Sequence, residues 1–269
     1  MLETTLAANA QATASRRFYV WMSAACLAIA ILGFVPTYFL PIIRGRLAVE
    51  PVVHIHGLIF YSWMIFFFVQ SLLVARGRVL AHRTWGMLGI AIVTAMAFMV
   101  ITIVSLRVSQ ASLPGQPRGL AHDVRAFEWI SVSGVLFFVS VFILAIVNIR
   151  RPETHKRFIL LGTIALLGAP IARWFMVFLA PPRGPGPAAL THGLPQIHVP
   201  PVFVAIPPGL LGDMLLVVAI VFDWRTRGRP HSVYVIGGAC LLLIQISAVS
   251  VAASSSWQAV AKAIGHLSG

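Results

Sequence analysis

The sequence predicts an all-α integral membrane helical bundle of seven transmembrane helices, and three observations predict it. Of the 269 residues, 59% are hydrophobic and only 10% charged, with a mean hydropathy of +0.90, which is not the composition of a water-soluble domain. Seven apolar runs each come close to or exceed the about 20 residues that a helix needs to cross a hydrocarbon core of about 30 Å. No polar stretch between them is long enough to fold alone, so residues 1–269 form a single membrane domain. Backbone polar groups find no partner in lipid, so such long, uniform runs must be helices, which satisfy themselves; barrel strands are shorter and alternate.

The runs lie at about 18–42, 52–75, 84–106, 125–149, 157–180, 205–223 and 232–254, and give helices 1 to 7. The first is long for a signal-peptide core and is followed by Pro-Ile-Ile-Arg-Gly-Arg, with no small-residue cleavage pattern, so it is expected to stay in the membrane. The loops after helices 2, 4 and 6 repeat one device: a basic run, a histidine, then an apolar helix carrying glycine. The copies hold Arg76, Arg78, His82, Arg83, Gly86 and Gly89; Arg150, Arg151, His155, Lys156, Arg157 and Gly162; and Arg225, Arg227, Arg229, His231, Gly237 and Gly238. Loop 5, from Pro181 to Pro208, is rich in proline and glycine and is expected to be irregular. Cys26 and Cys240 sit mid-run as small apolar fillers, which excludes a disulfide framework or thiolate cluster.

A formal charge of +13 invites a nucleic-acid partner, but the basic residues sit at helix ends, where they orient a membrane protein. The N-terminus and loops 2, 4 and 6 hold twelve Lys and Arg, against seven in loops 1, 3 and 5 and the C-terminus. The positive-inside rule then places the N-terminus inside and the C-terminus outside. Membrane lipid is the expected partner, nucleic acid is not, and a bacterial inner membrane is the expected location. The oligomeric state is left open by the sequence.

Helices 2, 3, 4 and 5 each begin with histidine: His54 or His56, His82, His122 and His155. Consecutive helices are antiparallel, so His56 and His122 share the outer leaflet and His82 and His155 the inner one. Imidazole is an axial ligand for haem iron, and each pair would clamp one flat haem. Gly86 and Gly89 follow His82 by four and seven residues, and Gly162 follows His155 by seven, so each lies on its histidine's face and would leave room for a macrocycle. Small residues also simply let membrane helices pack closely.

The segments His-Ile-His-Gly-Leu-Ile-Phe-Tyr-Ser-Trp on helix 2, Ala-His-Arg-Thr-Trp-Gly on helix 3, Leu-Ala-His-Asp on helix 4 and Thr-His-Lys-Arg on helix 5 are similar to the ascorbate-dependent di-haem transmembrane cytochrome b family. The pattern also resembles uncharacterised bacterial multi-pass membrane proteins. The family resemblance covers residues 52–180 and implies a four-helix core with two haem b groups, one near each face, and electron transfer across the bilayer. It implies that His56 (or His54) and His122 hold the outer haem, and His82 and His155 the inner one. The donor would be cytoplasmic, a quinone or another small molecule.

Residues two apart on a helix point about 200° apart, so His54 and His56 cannot both face one haem. With His122, His192 and His198 they could instead gather Cu or Zn on the outer face. That alternative is a haem-free bundle acting as a histidine metal-binding protein, a transporter or a sensor. Arg173 and Asp213 lie at matched depth inside apolar runs, where each charge costs about 2.5–3.5 kcal/mol. They are expected to pair, with Arg173 alternatively serving a haem propionate or quinone headgroup, or Asp213 carrying a proton. Glu128 is expected to pair with Arg125 or to orient a ligand histidine. Helix 7 contains no lysine, which excludes a retinal Schiff base, and no Walker loop, GxGxxG, HExxH or Ser-His-Asp arrangement is present.

Overall fold

The computed structural model of the protein describes residues 2–47, 49–178 and 199–268. These are all-α, and six stretches are long and apolar enough to cross a membrane. They are α1 (Leu2–Phe34, the apolar stretch running Thr13–Ile43), α2 (Pro51–Ala75), α3 (Val79–Ala111), α4 (Leu120–Val147), α5 (Pro152–Phe178) and α6 (Val202–Arg227). The seventh run forms α7, Ser232–Ile246 continued by Ala248–Ala253. Its ladder passes through the joint, since Ser247 N donates to Leu243 O at 3.0 Å and Val251 N to Ser247 O at 2.9 Å. An unexpected amphipathic helix, α8 (Ser255–Gly265), follows and runs into a short 3-10 turn, His266–Ser268.

Local chemistry sets the ends. Proline opens α2 and α5, where its missing N–H costs nothing. Gly119 (φ 87°) precedes α4 and Gly228 (φ 73°) ends α6, both in the left-handed conformation that a side chain would strain. The helices run further than the apolar runs: α3 continues through Arg107 to Ala111 and α4 begins at Leu120, because α8 covers both ends. Pro170 lacks the N–H that Leu166 O would accept, and α5 breaks at Leu166–Leu167. There Gly33 of α1 lies so close that a Cβ would stand 2.5 Å from the Pro170 carbonyl oxygen.

Neighbours in sequence are neighbours in space. α2 packs on α1 and α3, α4 on α3 and α5, the second half of α5 on α6, and α7 on α5 and then α4. One buried cluster joins Tyr19, Met22, Trp63, Phe67, Phe138 and Leu160 at the centre. A second joins Val104, Val108, Val124, Trp257 and Ala261 beneath α8. Outside, Trp21, Leu58 and Phe98 are 74, 69 and 71% exposed, an apolar belt that only hydrocarbon would solvate well. Cys26 fills the core as expected, whereas Cys240 faces outward.

Candidate functional site

Loops 2, 4 and 6 lie at one end of the bundle, the basic face. His82, in the first turn of α3, and His155, in the first turn of α5, meet there. Their ring centroids are 6.4 Å apart and their planes 80° apart. This is an edge-to-face ring contact, and the same separation also suits a shared metal. Two imidazoles sharing one metal, with about 2 Å per metal–nitrogen bond and about 1.2 Å from nitrogen to centroid, stand about 6.4 Å apart. His155 Nδ1 lies 2.8 Å from Ala145 O, and only an N–H can bond a carbonyl, so Nε2 is the free acceptor nitrogen. His82 Nδ1 is buried without a partner. Pair spacing, a fixed tautomer and an orphaned nitrogen all suit axial ligation of a haem iron.

The glycines behave differently from expectation. A Cβ at Gly86 would meet nothing within 4 Å, but one at Gly89 would stand 2.7 Å from the Phe66 ring and one at Gly162 3.1 Å from Phe138. Side chains from neighbouring helices take the space at Gly89 and Gly162, so close packing accounts for both.

At the opposite face the histidines stay apart. His54 is exposed, with Nδ1 2.6 Å from Tyr38 Oη across the end of α1. His56 stacks on Phe60 at 4.3 Å, its Nδ1 buried without a partner. His122 does enter α4, since the helix reaches Leu120, but it is exposed beside Asp123 at 3.3 Å. No ring contact joins His56 to His122 among the described residues. His192 and His198 lie outside the described residues, and no group of three His, Cys, Asp or Glu fit to hold a metal occurs among the described ones.

Arg173 and Asp213 do not pair. Arg173 lies over the Phe34 ring at 5.3 Å and touches Met176 Sδ at 4.0 Å, while Asp213 faces Gln245 of α7. Matched depth along two helices does not by itself turn two side chains towards each other. Glu128, 1% exposed, pairs with Arg107 of α3 at 2.7 Å, not with Arg125; Arg125 instead donates to Gln258 of α8 at 2.8 Å.

A buried polar cluster that the sequence did not announce lies among the described residues. Arg157 Nε donates to Asp223 Oδ2 at 2.8 Å while Nη2 engages Oδ1, a bidentate pair 2% and 1% exposed. Arg157 Nη1 also reaches Glu153 at 2.7 Å, and Arg227 reaches the same carboxylate at 3.0 Å. Tyr19 and Tyr234 hydroxyls meet at 2.9 Å beside it. Asp223 stands near the end of an apolar run and Arg157 inside a basic loop motif, so each had an ordinary interfacial explanation. The available signal was that Asp223 stands two residues before the basic run of loop 6, and Glu153 inside that of loop 4.

His231 caps α7, its Nδ1 accepting from Val233 N at 3.2 Å. Burial, then Arg157 and Arg227, push its pKa below the usual histidine value. The unfolded chain therefore binds this proton more readily than the folded one, and stability falls as pH drops below about 6.5. His231→Asn keeps a capping oxygen but does not titrate. A pH series of melting temperatures should show a shallower acid decline in the variant; equal slopes would remove His231 as the cause.

Comparison with known protein families, curated proteins and solved structures finds no match.

Proposed function

We propose that this chain is a b-type haem membrane protein in which His82 and His155 ligate one haem at the cytoplasmic half of the bilayer. The observation that carries the reading is the 6.4 Å spacing of two half-buried imidazoles, one with its tautomer set by Ala145 O. Haem would supply reversible one-electron chemistry there. The chain's own part is to hold the two rings from different helices, to fix the proton on His155 Nδ1, and to exclude water with Phe66 and Phe138. The side chain of Arg157, two residues from His155, is neutralised by Asp223 and Glu153, so the cluster anchors the first turn of α5. The electron donor is cytoplasmic or a quinone. No ring contact or hydrogen bond joins His56 to His122 among the described residues, so we propose one haem, not two.

The positive-inside asymmetry supports the basic face as cytoplasmic, in a bacterial inner membrane. With α7 as a seventh crossing, two backbone bonds tying its halves across Ser247, the N-terminus is inside and α8 lies at the outer face.

An optical spectrum of the purified protein tests the reading, because bis-histidine haem b gives sharp reduced-minus-oxidised bands. The expected haem content is about one per chain. Colourless protein from a haem-replete host, or bands that do not sharpen on reduction, would reject it.

A further inference from the structure

We infer that a lipid-soluble quinone or quinol binds in a groove between α2 and α3, with its ring oxygen on the Gln70 amide. The groove has a volume of about 570 Å³ and is walled by Phe66, Val69, Gln70, Trp85, Leu88 and Ile92. Gln70 is 7% exposed, and both its Nε2 and Oε1 lack a partner. Acyl chains offer nothing to an amide, so a membrane-facing groove with an unpaired donor and acceptor is built for something other than a lipid tail.

The ligand must be soluble in hydrocarbon, flat enough to lie beside Phe66 and Trp85, and able to offer an acceptor to Nε2 or a donor to Oε1. A quinone carbonyl does the first and a quinol hydroxyl the second, so one amide serves both redox states. A second hollow of about 230 Å³ shares Ser62 and Ile92 with the first and continues past Ala91 to Ala95, which gives an isoprenoid tail a path along the helix pair. Gln70 precedes the Gly77 reversal by seven residues and His82 follows it by five. Both therefore lie on the order of 10 Å from the turn by helical rise. Trp85 and Leu88 follow His82 by about one and two turns. The binding site stands on the groove; its use as the electron partner of the His82–His155 site rests on the haem reading.

The protein in quinone-free lipid nanodiscs is titrated with decylubiquinone, with tryptophan fluorescence as the readout. Saturable quenching that Trp85→Phe largely removes is expected. Gln70→Leu should weaken binding at least tenfold. Val69→Trp, which fills the groove from its lipid-facing wall without touching the core, should do the same if Gln70→Leu does not fold. Linear, unsaturable quenching, as for simple partitioning into the bilayer, would overturn the site, as would unchanged affinity in the folded variants. His82→Ala protein lacking haem should still bind decylubiquinone. Colourless wild-type protein with saturable binding would reject the haem reading and leave this site standing.

Discussion

Under the proposed ligation, His82→Ala and His155→Ala will each abolish the reduced-minus-oxidised haem bands, because each variant removes one of the two imidazoles that would hold the iron. The two losses should differ in recovery. His155 is fixed by its bond to Ala145 O, so exogenous imidazole has to fit a defined gap. His82 carries an orphaned buried nitrogen and no second anchor, so His82→Gly with imidazole should recover more of the signal than His155→Gly with imidazole. Haem content by pyridine haemochrome, alongside the melting temperature, separates ligand loss from unfolding. His122→Ala should leave the bands unchanged, since His122 lies exposed against Asp123. Full bands in either the His82 or the His155 variant would show that these rings are packing partners only.

The second large effect is on stability. Arg157→Leu leaves Asp223, 1% exposed, with a single 3.3 Å contact from His231 N, and breaking a buried pair in this way costs about 3–5 kcal/mol. Asp223→Leu should cost less, because Arg157 keeps Glu153 at 2.7 Å. The double variant should recover much of the Arg157→Leu loss, since an apolar pair removes the uncompensated charge. Melting temperatures of the four proteins in one detergent close the cycle. Additive losses would show that the two charges act independently.

Apolar length located the six long helices of the described residues, because lipid demands a continuous apolar run. Helix ends were less legible: Arg107 looks like a loop residue until Glu128 and α8 are seen to cover it. The meeting of His82 and His155 was readable because consecutive helices are antiparallel, so the starts of alternate helices share one face. Partners around a helix axis were not. Depth follows from counting residues, whereas the facing direction depends on packing angles, and so the expected Arg173–Asp213 pair was misjudged while Arg157–Asp223 went unnoticed. Gly89 and Gly162 were assigned to a cofactor, yet the aromatic rings of Phe66 and Phe138 occupy those notches.

The hydroxyl contact between Tyr19 and Tyr234 joins residues 215 apart in the chain. Phe18 stacks on Phe222 with centroids 3.8 Å apart, so this is a seam rather than a single bond. Ribosomes add about 5–20 residues per second, so α1 enters the bilayer on the order of 10–40 s before its partner helix exists. Throughout that interval the seam side of α1, with a tyrosine hydroxyl and the Lys156 partner Ser15, waits in lipid or beside the insertion machinery. Final closure of the bundle is therefore a late step, governed by helix docking after synthesis and not by the order in which the helices emerge.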